Sequence, residues 1–280
     1  LNSMSVFLIY NSHSGSYNKI LINTIIKKLN LLSDQVISFD IYKDPDINFN
    51  QCNTVCVAGG DGTINNVINK IFQANLLNKI KIIIVPLGSA NVLASRKKKK
   101  KKFILKNWEN LIVTETEVGK INDRIFLSAS SLGFISKIIN NTSFIHKNFL
   151  GFSAYIIKML ISWHIPTTNY QLIIYGKIIN ETAHSTVFSV GLNIIGFKSI
   201  LKKPDELVDI YLLKNKTPLG FVAVLFNFIF NRSGKSLTRY SGKEVVCNGV
   251  SKQELQIDGE QQPEVEKLSA KIIGRLKILR

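Results

Sequence analysis

Residues 54–72 read TVCVAGGDGTINNVINKIF, and this stretch decides the fold. Thr54 to Ala58 has the length and β-branched content of a buried strand, whereas Ile64, Val67, Ile68, Ile71 and Phe72 recur at the spacing of one helix face. Strand, glycine turn and helix make half of a βαβ unit. Gly59, Gly60 and Gly62 can take positive φ and carry no Cβ, so the pattern predicts successive N–H groups facing an anion at the start of the helix. We read the turn as a phosphate-binding loop, with Asp61 where a metal-bound phosphate would lie. A tight turn capped by Thr63 is the plainer alternative.

Working outward, SVFLIY at residues 5–10 predicts a first strand. The polar turn Asn11-Ser12-His13-Ser14-Gly15-Ser16 follows, then a helix over 17–32 and a second strand over 36–42. On the other side, KIIIV at 81–85 is a continuous apolar run that ends in Pro86-Leu87-Gly88-Ser89-Ala90-Asn91. The turns at 11–16, 59–63 and 87–91 each follow a strand. In an open, mostly parallel sheet such turns share the edge at which ligands bind.

The bulk numbers bound the rest. A chain of 280 residues has room for two domains, and 45% hydrophobic with 20% charged residues describes a folded protein. No apolar run reaches the ~18–20 residues that span a bilayer. The first residues pattern as a strand rather than a leader, which predicts no export and a cytoplasmic protein. Cys52, Cys56 and Cys247 lack metal-site spacing and are expected to be reduced thiols. Thirty-six Lys and Arg against 19 Asp and Glu give a net charge of +17, which attracts polyanions: ATP, nucleic acid or an anionic membrane surface. No recognition helix or RNA-binding strand signature favours nucleic acid. The six lysines Lys97, Lys98, Lys99, Lys100, Lys101 and Lys102 form either a solvated segment or a membrane-facing basic patch.

Near residue 115 the βαβ alternation gives way to short, evenly spaced strands. We therefore expect an α/β domain over 4–114 with a Rossmann-like, mostly parallel sheet, and a mainly antiparallel, sandwich-like β domain over 115–269. The tail, 270–280, could return to the first domain. The run at 219–230 reads as a core helix or as one wall of an acyl-chain site.

Taken together, GGDGT at 59–63, the turn with Asn11, Ser14 and Gly15, and Pro86-Leu87-Gly88-Ser89-Ala90-Asn91 resemble the bacterial diacylglycerol kinase-like lipid kinases. Their catalytic domain is shared with sphingosine and ceramide kinases. The resemblance extends through EVGKINDRIFLSASSLGF at 117–134, GFSAYIIKMLISW at 151–163, DELVDIYLL at 205–213 and LQIDGE at 255–260, with Glu117 in the place of the usual acid and Glu206 in that of a glycine. It implies a nucleotide-binding domain joined to a lipid-substrate domain, with ATP and Mg²⁺ as cofactors. It also implies phosphate contacts from Asn11, Ser14, Gly15, Gly59, Gly60, Gly62, Thr63, Gly88, Ser89 and Asn91. Asp61 and Glu117 would be metal ligands, and Asp61, Asp258 or Glu260 the group that accepts the lipid hydroxyl proton. The partners implied are a lipid and the inner face of a membrane, and a homodimer is compatible. The chain departs from the pattern at Asn66, where the family has Glu, and at Val92, where it has Asp. These departures keep open a nucleotide- or lipid-binding homologue with impaired catalysis. NAD kinase, which shares the GGDG turn, ranks lower because its Asn-x-Gly-x-x-Gly-Phe-Leu signature is absent.

Overall fold

The structure is a computed structural model that describes residues 5–31, 33, 35–87, 111–140, 165–190, 193–194, 197–198, 206–215, 217, 220, 223–224, 227 and 232–279. Gly88, Ser89, Asn91, Val92, Lys97 to Lys102, the stretch at 151–163 that carries part of the resemblance, and most of 219–230 lie outside the described residues. The chain divides into two compact units, Leu1–Thr116 with Gly274–Arg280, and Glu117–Ile273.

Unit 1 is built on parallel strands in the order β4-β3-β1-β2: β1 (Ser5–Tyr10), β2 (Val36–Asp40), β3 (Cys52–Gly59) and β4 (Lys81–Pro86). Parallel neighbours need crossover connections, and α1 (Lys19–Leu29) and α2 (Asp61–Gln73) supply two of them. Each helix starts for a local reason. Asn18 caps α1 by accepting the Ile20 N–H, whereas Gly60 precedes α2 without a side-chain cap. Ile22, Ile25 and Leu29 of α1 bury against Val6, Leu8, Cys56, Ala58, Ile83 and Val85, the residues of alternate parity on the strands. Ile64, Val67, Ile68 and Ile71 form the buried stripe of α2, which packs on β3.

Unit 2 is antiparallel. Its strands are β5 (Val113–Ile121, of which 117–121 fall in this unit), β6 (Arg124–Phe126), β7 (Ala129–Gly133), β8 (Thr168–Ile174), β9 (Lys177–Ala183), β10 (Ser185–Ser189), the pair β11 (Asn193–Ile194) and β12 (Phe197–Lys198), β13 (Val208–Leu213), β14 (Leu237–Gly242), β15 (Glu244–Ile257) and β16 (Glu260–Leu279, of which 260–273 fall in this unit). The run β14-β13-β10-β7-β15-β16 is continuous. β15 pairs β8 through Val245 to Gly249 and β7 through Leu255 to Ile257, with register breaks between. Such irregularities bend a strand, so one long strand serves two neighbours on the same side. The inner face packs Phe126, Leu132, Tyr170, Leu172, Phe188, Ile210, Leu212, Val245 and Leu268. The opposite face of β7, β10 and β13 is covered by α3 (Phe134–Asn140) through Ile135, Ile138 and Ile139, and Val224 joins this second core.

A buried polar cluster ties these layers. His184 Nδ1 lies 2.9 Å from Ser185 Oγ and its Nε2 2.8 Å from Asn215 Oδ1, while the same hydroxyl accepts the Ile135 N–H at the start of α3. Burial pushes His184 down to about 4, against the opposing hydrogen bond to Asn215. The ring is therefore neutral. With Ser185 sealed from solvent, the arrangement holds structure rather than offering a nucleophile. The three cysteines are free and buried, which raises their thiols.

Candidate functional site

In unit 1 the carboxyl ends of β1, β3 and β4 fall on one edge because the strands are parallel and in register, with Tyr10 beside Ala58 and Gly59 beside Pro86. The turns that leave those ends are knitted together. Leu87 donates its N–H to the Gly59 carbonyl at 2.8 Å, Ser16 donates to the Leu87 carbonyl at 3.3 Å, and Asn11 donates to the Ala58 carbonyl at 3.3 Å. Within the first turn, Ser14 donates to the Asn11 carbonyl and Tyr17 to that of Ser14. The side chain of Asn11 then acts twice: Oδ1 accepts the His13 N–H at 2.8 Å and Nδ2 donates to Thr63 Oγ1 at 3.1 Å. Thus Asn11, Ser14, Gly15, Gly59, Gly60, Asp61, Gly62 and Thr63 gather at one sheet edge.

The helix's own hydrogen bonding begins with the Ile64 N–H to the Gly60 carbonyl. The preceding N–H groups point out of the helix end, where the helix dipole favours an anion. The glycines act differently from the expectation. Gly60 has φ −84°, Gly62 is helical, and positive φ among the described glycines falls at Gly133, Gly176, Gly259 and Gly274. What Gly59 provides is proximity: a Cβ there would lie 2.6 Å from Thr63 Cβ. Helix and strand approach so closely that only a hydrogen fits, and Thr63 is buried by that contact. Asn66 sits on the exposed side of α2.

Beside this edge lies Asp40, buried at the end of β2. Burial would raise its carboxyl, but hydrogen bonds from Ser12 and the Tyr42 N–H, with Lys43 nearby, hold it below the usual range. The same arrangement brings His13 and the exposed Tyr42 ring within 3.9 Å, centroid to centroid.

Glu117, Asp258 and Glu260 belong to unit 2. Asp258 and Gly259, at φ 49° and 89°, form the two-residue turn between β15 and β16. Both residues are left-handed, as a type I′ hairpin requires. The Asp258 carboxylate accepts the N–H groups of Leu127 at 2.8 Å, Ser128 at 2.9 Å and Ala129 at 3.2 Å, so it anchors the approach to β7. Glu260 is exposed. Glu117 Oε1 accepts the backbone N–H of Glu206, whose φ of 63° is the left-handed geometry that a glycine would take without strain. Among the described residues no three His, Cys, Asp or Glu side chains gather closely enough to hold a metal ion by themselves. A nucleotide-borne Mg²⁺ needs only one or two protein carboxylates, and Asp61 at the start of α2 fits that role.

Asp209 was not singled out in the sequence. It is fully buried on β13, with Oδ1 at 2.9 Å from Arg239 Nη2 and 2.7 Å from Ser241 Oγ, while Oδ2 has no hydrogen-bond partner among the described residues. Its signal was present in VDIYLL, where one acid interrupts an otherwise apolar strand.

Residues 5–121 match the diacylglycerol kinase catalytic domain family. A diacylglycerol kinase of Bacillus subtilis (strain 168) is 23% identical over 215 residues, spanning 74% of this chain and 70% of the relative. One of Staphylococcus carnosus (strain TM300) is 27% identical over 217 residues, spanning 73% and 69%. A solved structure from Bacillus anthracis str. Sterne, described as a candidate diacylglycerol kinase, covers 100% of this chain and 98% of its own with a TM-score of 0.79 at 17% identity. That likeness establishes the fold, an α/β unit joined to an antiparallel β unit.

Proposed function

Since this chain belongs to the bacterial diacylglycerol kinase-like lipid kinases, we propose that it transfers the γ-phosphate of ATP to the hydroxyl of a membrane lipid, nominally diacylglycerol, at the cytoplasmic face. One observation carries this reading: three turns at a single parallel-sheet edge are cross-linked, the first two by the Asn11 to Thr63 hydrogen bond at the start of α2 and the third by the Leu87 N–H to Gly59 and Ser16 N–H to Leu87 bonds. Phosphoryl transfer is chiefly positioning and charge stabilisation, and fixed N–H groups at a helix end supply both. In this proposal Gly59, Gly60, Gly62 and Thr63 hold the phosphates, with Asn11, Ser14 and Gly15 closing over them. Gly88, Ser89 and Asn91 are proposed to continue that cradle.

Mg²⁺ bound with the nucleotide would neutralise phosphate charge, and Asp61 would hold it. Asp258 and Glu260 are the proposed proton acceptors. The three N–H donors on Asp258 fix its carboxylate, and the exposed Glu260 is the more adaptable of the two. The proposal places Lys97 to Lys102 against anionic lipid.

Incubating the protein with γ-labelled ATP, Mg²⁺ and a bacterial lipid extract tests the reading. Label in the lipid fraction, lost in Asp61→Asn, is the expected result. ATP binding with no transfer to any lipid would overturn it in favour of a binding protein of the same fold.

A further inference from the structure

β8 and β9 meet at Tyr175-Gly176, with φ of 50° and 75° and Ile174 paired to Lys177. This is a two-residue type I′ turn, a place that favours Asn, Asp or Gly. A bulky aromatic residue in the left-handed region is an outlier, and such outliers point to a use for the side chain. Here the side chain is displayed rather than packed: Tyr175 is 65% exposed and Ile178 63%.

The register extends this tip into a patch. Tyr170, Leu172 and Ile174 face the core, so Ile173 faces out, and its Cα partners are Ile178 on one side and Val246 on the other. The row Ile178, Ile173, Val246 is therefore apolar and outward at the turn end of the sheet. The next outward row is Asn180, Gln171 and Asn248, with Asn248 donating to Gln171 at 3.2 Å. Apolar surface is thus confined to the end of the hairpin. Around it, among the described residues, stand the exposed Lys177, Lys243 and Lys271 and the carboxylate of Glu244, 3.9 Å from Lys271.

We propose that this hairpin end docks on an anionic lipid surface, with Tyr175, Ile178 and Ile173 entering the headgroup layer and the lysines meeting lipid phosphates. An aromatic ring with a polar tip suits that layer, and lysines can lay their stems on apolar surface while the charge stays outside. Charge complementarity selects the occupant, since the described residues of the rim carry three cations to one anion and the chain as a whole +17. The inference deepens the reading of the acceptor as a membrane lipid and rests on it for its biological sense.

The test is flotation of the full chain with vesicles of phosphatidylcholine alone or mixed with phosphatidylglycerol. The expected result is recovery with the anionic vesicles, reduced about tenfold in the pair Tyr175→Asn and Ile178→Thr, whose residue types suit the turn and the strand. That variant should keep the wild-type melting temperature and the wild-type rate on detergent-dispersed diacylglycerol. In Tyr175→Trp, the emission gained over the wild type should shift to the blue on binding and be quenched by brominated acyl chains. Equal binding of the double variant, or no such shift in vesicle-bound Tyr175→Trp protein, would overturn the proposal. Concentration-dependent self-association that the double variant abolishes, without vesicle binding, would overturn it in favour of a second copy. Vesicle binding that persists although no variant phosphorylates any lipid would uphold the docking surface and remove the kinase reading alone.

Discussion

Asn11 and Thr63, 52 positions apart in sequence, are joined by a 3.1 Å hydrogen bond from amide to hydroxyl. That bond ties the turn after β1 to the first turn of α2. Asn11→Ala should lower stability by about 1 kcal/mol and raise the KM for ATP several-fold with a smaller change in kcat, because ground-state placement of the nucleotide is lost. A double-mutant cycle with Thr63→Val, read by urea unfolding, should return a coupling of about 1 kcal/mol.

Gly59 and Gly15 differ sharply in what surrounds them. A Cβ on Gly59 would collide with three atoms of Thr63, whereas one on Gly15 meets nothing within 4 Å. Gly59→Ala should cost about 1–3 kcal/mol by forcing α2 off β3. Gly15→Ala should leave the urea midpoint near that of the wild type.

Asp258 carries three backbone N–H groups on its carboxylate. Removing that acceptor in Asp258→Ala should destabilise unit 2 by several kcal/mol, on the order of 3, since bonds to a charged acceptor exceed neutral ones. Asp258→Asn, which tolerates the turn, should fall between Ala and wild type. Glu260→Gln should leave the melting temperature unchanged. A lipid-kinase rate lost in Glu260→Gln at full stability would mark a chemical role that the structural loss in Asp258→Ala could not.

His184 predicts an acid-side loss of stability. Its folded value is about 4, below the ordinary value near 6.5, so between those two values the unfolded chain binds a proton that the folded chain does not. Stability is complete above the upper value and declines as pH falls through the window, by about 3 kcal/mol in all. Urea midpoints measured between about pH 7 and about pH 4 should show this slope, and His184→Gln should flatten it.

Local patterns were legible. The apolar stripe of α2 and the strands of unit 1 depend on neighbours within a few residues, and periodicity reports them directly. Contacts across the chain were not. Nothing near Asp258 in sequence shows that its carboxylate is committed to Leu127, Ser128 and Ala129, and the glycine at 59 is explained by Thr63 rather than by backbone dihedrals. Glu206 shows a third limit. It stands in the left-handed region where the resembling family has glycine, and the residue type alone does not report that geometry.

The long strand β16 has a consequence for how the protein is made. Its residues 277–279 run parallel to residues 81–83 of β4, so the β4 side of the unit 1 sheet is covered by chain emerging roughly 200 positions later. On the ribosome that sheet must wait, with the β4 edge open, until all of Glu117–Ile273 has been synthesised. A contiguous fragment ending near residue 116 would lack the β16 partner of β4, and the exposed strand edge would be a template for aggregation rather than part of an autonomous domain.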